Sequence, residues 1–249
     1  MFTWFDYITV DAARAQAFYG ALFGWTTQTI QVTGMGAYTM IVVDDRPIGG
    51  YLGPIAGTPP SSPRDTRPGS YWLSHLVVAS AHDAAAKTKT LGGKMLREPF
   101  NVGEHGKLAI ALDPANAVVA LSQPNTITEW NHAPNTFVWN ELYTTSTTTA
   151  VTFYKQLAGF TESKMAMPDG NTYHLMQRDG VARCGIRKPH PGMPAGWFAW
   201  VRVANVDDTA AKARALGATI HTQPADVGTS RMSLLTDPQG AALGIITPH

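Results

Sequence analysis

The sequence predicts an α+β fold made of four βαβββ modules in two tandem halves. Three observations carry that reading. The first is an internal repeat. WFDYITVD followed by AARAQAFYGALFGW returns as WNELYTTS followed by TTTAVTFYKQLAGF, with Tyr19 matching Tyr154 and Gly24 matching Gly159 at an offset of 135 residues. The second is a separate repeat at an offset of 125 residues, in which WLSHLVVASAHDAAAKTKTLGG (from Trp72) returns as WFAWVRVANVDDTAAKARALGA (from Trp197). The third is the order of periodicities. Each copy runs from an alternating apolar segment to a 3.6-residue apolar stripe and then to short alternating segments split by turn residues.

The elements follow in order. In the first module WFDYITVD alternates as a strand does. Asp11 is placed to cap a helix whose residues Ala15, Phe18, Tyr19 and Leu22 form one apolar stripe, and Gly24 ends it. AYTMIVVDDRPIGGYL supplies the following strands. In the second module Ser80 caps the helix and KLAIALDPANAVVALSQ supplies strands. In the third, Ser146 and Gly159 bracket the helix and TYHLMQRDGVARCGI follows. In the fourth, Asn205 caps and RMSLLTDPQGAALGII closes the chain. Asp-Pro followed by a small residue marks a hairpin turn. The first domain is expected over 1–123, with modules at about 1–56 and 69–123. A linker spans 124–135. The second domain spans 136–249, with modules at about 136–187 and 196–249. The Pro/Gly-rich stretches at 57–70 and 188–196 read as joints between modules.

Composition narrows the function classes. Of 249 residues, 44% are hydrophobic and 15% charged, which suits a packed globular chain. The formal net charge is +1 and no Lys/Arg run occurs, so nucleic acid is not an expected partner. No apolar run approaches the ~20 residues of a membrane helix. MFTWFDYITV lacks the pattern of a signal peptide, and Cys184 is the only cysteine. The expected setting is cytoplasmic, with no membrane partner, and Cys184 is expected to be a small buried residue. No GxGxxG, P-loop, HExxH or GxSxG signature is present.

The pattern W-x-[D/E] before FYxxLxG[WF], together with the DPxGA hairpin, resembles the vicinal oxygen chelate superfamily, which holds glyoxalase I, bleomycin-resistance proteins and extradiol dioxygenases. The chain is most similar to its two-domain glyoxalase-like or hydroxylase-like members. The resemblance implies that modules pair into curled mixed sheets with helices outside and a ligand cup inside. It does not fix the chemistry, because the superfamily hosts isomerases, lyases, dioxygenases and pure binding proteins.

Metal-dependent relatives imply ligands early in each module's first strand, often His or Gln, and a Glu in the last strand. Those positions are Trp4, Leu73, Trp139 and Phe198, then Ala120 and Gly244. None is a metal ligand, so no metal and no cofactor are expected. Two residues along each first strand, on the same face, stand Asp6, His75, Glu141 and Trp200. If the first two modules share a cup, Asp6 and His75 project into it from opposite strands, as candidate catalytic residues for proton transfer. They could equally bind a polar ligand or staple two strands, and Asp6 and Glu141 could be scaffold. Trp4, Tyr38 and Tyr51 are expected around the first cup, with His105 and Lys107, beside Glu104, at its lip. Trp139, Glu141, Tyr173 and Trp200 are expected around the second.

The expected function is that of a metal-independent small-molecule protein. It binds an organic ligand of aromatic type in a Trp/Tyr-lined cup and can transform it by acid/base chemistry. The alternatives are a metal-dependent lyase, isomerase or dioxygenase, and a non-catalytic sequestering or scaffold protein. The chemistry is expected in the first cup, because the second carries Trp200 where the first has a histidine. Each half already contains a pair of modules, so a monomer suffices, with a homodimer as the other option.

Overall fold

A computed structural model describes residues 1–58, 69–127, 132–167, 169–190 and 193–248. Most of the joint at 57–70, the centre of the linker and two residues of the joint at 188–196 lie outside the described residues.

Each module folds as the periodicities predict. The first is β1 (Phe2–Ile8), α1 (Ala12–Phe23), β2 (Thr26–Val32), β3 (Gly36–Val43) and β4 (Arg46–Leu52). The second is β5 (Tyr71–Val77), α2 (Ala81–Thr90), β6 (Lys94–Asn101), β7 (Gly106–Leu112) and β8 (Val118–Pro124). The third is β9 (Phe137–Tyr143), α3 (Thr147–Ala158), β10 (Thr161–Ala166), β11 (Thr172–Arg178) and β12 (Val181–Arg187). The fourth is β13 (Gly196–Arg202), α4 (Val206–Ala215), β14 (Thr219–Val227), β15 (Ser230–Thr236) and β16 (Ala242–Pro248).

The helix ends show why. The carboxylate of Asp11 accepts from the Arg14 amide, satisfying one orphan donor, and Gly24 adopts φ 75° to end α1. Ser80 and Asn205 cap α2 and α4 through the Asp83 and Asp208 amides. Ser146 precedes α3 without a side-chain cap; its amide instead donates to the Thr144 hydroxyl.

Consecutive modules pair. The first sheet runs β2-β3-β4-β1-β5-β8-β7-β6 and the second β10-β11-β12-β9-β13-β16-β15-β14. The seam within each is antiparallel, β1 on β5 and β9 on β13. Each curled sheet therefore presents one face to its own cup and the other to the rest of the molecule.

The faces opposite the cups join the halves. Phe5 stacks on Phe137 with ring centroids 4.1 Å apart, and Phe2 packs on Trp197 at 4.7 Å. Two buried carboxylates cross this boundary. Asp237, in the fourth-module hairpin, accepts from Tyr7 at 2.5 Å and Tyr19 at 2.8 Å. Asp113, its second-module counterpart, accepts from Tyr154 at 3.2 Å. The other carboxylate oxygen of each caps its own turn, accepting from the amides of Gln239 and Ala241 or of Ala115 and Ala117. Burial pushes both carboxyls above their ordinary range, against those hydrogen bonds. The DP hairpins are thus turns, as expected, and also inter-half clamps. The tyrosines of the FY motif serve them with a hydroxyl while their rings fill the core.

Candidate functional site

Alternation along β1 sends Phe5 and Tyr7 to the inter-half core and Trp4, Asp6 and Ile8 to the first cup. On β5, Trp72 and Leu76 face the core while Leu73 and His75 face the cup. The seam register sets Trp4 opposite His75 and Asp6 opposite Leu73. The result answers what a carboxylate is doing in an otherwise apolar strand. His75 Nε2 lies 2.9 Å from Asp6 Oδ2, and both residues are buried. Asp6 Oδ1 accepts from the Tyr38 hydroxyl at 2.5 Å and from Trp4 Nε1 at 3.1 Å. Trp4 Nε1 also donates to the Tyr38 oxygen at 2.8 Å. Both carboxylate oxygens are engaged, which is the condition for holding a charge away from water. Burial and the Asp6 charge push the Tyr38 phenol well above its ordinary range, so it remains a donor.

Asp6 also orients the imidazole. A carboxylate can only accept, so His75 Nε2 carries the proton of this hydrogen bond. Among the described residues the opposite nitrogen, Nδ1, has no hydrogen-bond partner. In the neutral ring it holds a lone pair. His75 lines a cavity of about 340 Å³, with Ile30, Val32, Met35, Met40 and Leu108 as apolar lining. This volume is within the range of small-molecule sites.

Tyr38 reaches Asp6 because Gly50 has no side chain. Gly50 lies on β4 beside Asp6, and a Cβ there would stand 2.1 Å from the Tyr38 hydroxyl oxygen. Gly185 does the same for Tyr173, with 1.9 Å. The two glycines share the 135-residue offset of the two tyrosines, which is the sequence signal that could have disclosed them.

The second cup repeats the frame: Trp139 Nε1 donates to the Tyr173 hydroxyl at 3.0 Å, and Glu141 is fully enclosed. Burial pushes the Glu141 carboxyl above its ordinary range, and the Tyr143 and Tyr173 hydroxyls oppose that shift. Here, however, Trp200 replaces His75. Its indole packs with Tyr143, Phe198 and Leu234 and is 3% exposed. It lies on Gly244, where a Cβ would meet the ring at 2.2 Å. The first cup has Ala120 at that place, paired with His75 as Gly244 pairs with Trp200. The histidine-to-tryptophan exchange is thus matched by alanine-to-glycine, and the second cup is filled by its own side chain.

One expected cup residue needs correction. Tyr51 is on the other face of β4, packed edge-on against Tyr7 in the inter-half core, because alternation gives the cup position to Gly50. Lys107 borders the cavity, as expected, at the start of β7 with Gln123 opposite. Its counterpart Arg231 pairs with Asp207 on α4. His105 and Glu104 do border the cavity, in a 3-10 turn at Gly103–His105. Cys184 is buried, as expected. One cup residue was not anticipated. Ser122 on β8 borders the cavity, and among the described residues its hydroxyl has no hydrogen-bond partner.

The donor set does not fit a metal centre of the kind found in the resembling enzymes. The carried-over positions Leu73 and Ala120 belong to the apolar floor. Asp6 and His75 are committed to each other. No group of three or more His, Cys, Asp or Glu converges among the described residues.

Comparison with known proteins places this geometry. The family model for the Glyoxalase/Bleomycin resistance protein/Dioxygenase superfamily matches residues 2–121 and 136–245. A Mycobacterium tuberculosis protein named "Putative glyoxylase CFP32" is 33% identical over 252 residues, covering 98% of this chain and 94% of its own. The anthracycline biosynthesis protein DnrV of Streptomyces peucetius is 27% identical, covering 98% and 91%. Among solved structures, the Mn(II)-bound glyoxalase from Novosphingobium aromaticivorans aligns with a TM-score of 0.64 at 14% identity, over 99% of this chain and 81% of that one. The 2,2',3-trihydroxybiphenyl 1,2-dioxygenase of Sphingomonas wittichii RW1 aligns with a TM-score of 0.66 at 11% identity, over 99% and 90%. With both halves matched separately and nearly the whole length covered, the chain belongs to the glyoxalase/bleomycin resistance protein/dioxygenase superfamily.

Proposed function

We propose that this protein binds a planar organic molecule of aromatic type in the first cup and moves a proton on it with His75, without a metal. The observation that carries this reading is the hydrogen-bonded set Trp4–Tyr38–Asp6–His75 in the wall of an open, largely apolar cavity. Asp6 fixes the ring as the Nε2–H tautomer and stabilises the imidazolium that forms when Nδ1 accepts a proton. Tyr38 and Trp4 donate to the carboxylate and hold it in place. The apolar walls exclude water and stack on the ligand, while His75 faces its acidic proton. The names of the Streptomyces relatives, anthracycline biosynthesis proteins, support a fused aromatic ligand class. Against a metal-dependent reading stands the donor set, two ionisable side chains already paired.

Metal analysis and native mass spectrometry of the same purified sample test this. The expected result is less than stoichiometric transition metal and one 2-naphthol bound per chain, with binding retained in His75→Ala. About one transition metal per chain, lost in His75→Ala, would overturn the proposal.

A further inference from the structure

Resting on that reading, the cup's chemistry narrows the ligand class. His75 pairs with Ala120 in the register of β5 on β8, and Ser122 follows two residues on, opposite Val77. On this face of the filled cup the corresponding residue is Ile246, packed against the cluster that holds Trp200. The polar pair His75 and Ser122 is therefore peculiar to the open cup. The Ser122 hydroxyl has a donor to give and borders the cavity beside the base.

Charge completes the description. The ionisable groups of the wall are Asp6, Tyr38, His75, Glu104, His105 and Lys107. Glu104, His105 and Lys107 follow one another at the lip, whereas Asp6 is buried at the floor, so a ligand anion at the floor would meet like charge. When a proton leaves a neutral ligand, the electron pair stays on the ligand. The floor offers that new charge a neutral serine hydroxyl and no fixed cation. A lone neutral donor offsets only a few kcal/mol of such charge. The rest must be carried by the ligand's own conjugation.

We infer that Ser122 is a ligand-binding residue, and that the cup takes a neutral, planar, conjugated carbonyl compound such as a 1,3-diketone or hydroxyquinone. Its carbonyl oxygen accepts from Ser122 and its acidic C–H or O–H faces His75 Nδ1. The step is one proton transfer. The substrate bond to hydrogen breaks, a hydrogen–Nδ1 bond forms, and the pair left behind spreads over the carbonyl oxygens as an enolate or phenolate. The proton returns from the imidazolium to the same or a neighbouring atom, so no oxidant or reductant takes part.

Hydrogen–deuterium exchange in heavy water tests this with two probes, benzoylacetone (1-phenylbutane-1,3-dione) and acetophenone. Binding is followed separately by quenching of tryptophan fluorescence. The protein is expected to bind both and to speed exchange of the benzoylacetone methylene above buffer alone, leaving acetophenone at the buffer rate. His75→Ala should abolish the acceleration. Ser122→Ala should lower the saturated exchange rate about 100- to 1,000-fold, the loss of one neutral donor, and weaken benzoylacetone binding. Benzoylacetone bound without accelerated exchange, or Ser122→Ala exchanging at the unaltered rate, would overturn the assignment and leave the cup a binding site. Accelerated exchange of acetophenone would overturn the requirement for a self-stabilised anion. Failure of both probes to bind would refute the reading of the cup itself.

Discussion

Replacing Gly50 by alanine perturbs the site from a strand that contributes no functional group. The new Cβ would stand 2.1 Å from the Tyr38 hydroxyl oxygen and 2.3 Å from its Cζ, where ordinary contact begins at 3.4 Å. The phenol must retreat by more than an ångström, which takes the 2.5 Å hydrogen bond to Asp6 out of reach. Overpacking a core contact costs about 1–3 kcal/mol. Losing a hydrogen bond to a charged group costs about 1.5–3 kcal/mol. Gly50→Ala should therefore destabilise by roughly 3–5 kcal/mol, although Gly→Ala at an unstrained position would by itself stabilise slightly. The control is Tyr38→Ala, which removes the obstructing ring. In that background Gly50→Ala should cost about zero, giving a large coupling in a double-mutant cycle. Urea unfolding of the four proteins at matched m-values measures it. An equal cost of Gly50→Ala in both backgrounds, within about 0.5 kcal/mol, would refute the claim that this glycine exists to admit Tyr38.

Other perturbations separate the two cups and the clamps. Trp200→Ala should cost about 3–5 kcal/mol, because it empties a packed position; the shift in urea midpoint measures it. Glu141→Gln should be the more stable protein at pH 8. Burial raises the folded-state pKa of Glu141, so the stability it contributes is present below its unfolded value and is lost as pH rises through the folded one. The glutamine variant keeps the neutral form throughout, and its advantage should shrink toward pH 4 in parallel unfolding titrations. Tyr154→Phe removes a side-chain donor to Asp113 across the inter-half boundary and should cost about 1–3 kcal/mol, read as a drop in thermal midpoint.

Much of this architecture is legible in the chain because the repeats are long and the caps are local. A 3.6-residue stripe between Asp11 and Gly24 needs no tertiary information to be a helix. Alternation alone set Asp6 and His75 on one face, and the only unknown was which modules pair. What was illegible depended on partners distant in sequence. Tyr19 and Tyr154 read as apolar stripe residues, since nothing local discloses that their hydroxyls reach Asp237 and Asp113, 218 and 41 residues away. Tyr51 neighbours the cup in sequence, yet register on β4 gives the position beside Asp6 to Gly50. Ser122 sits in an apolar run, and its significance emerges only when β8 is laid parallel to β5. The exchange of His75 with Ala120 for Trp200 with Gly244 was half visible: the tryptophan was read from the repeat, and the glycine that admits it required the register.

The central claim is that the first cup is the working site and the second is closed by its own tryptophan. It is tested most directly by following the indole N–H resonances of the seven tryptophans by ¹H–¹⁵N NMR while titrating 2-naphthol. The Trp4 resonance should move in a saturable way, and those of Trp139 and Trp200 should stay in place. Saturable movement of Trp139 or Trp200 with Trp4 unchanged would contradict it.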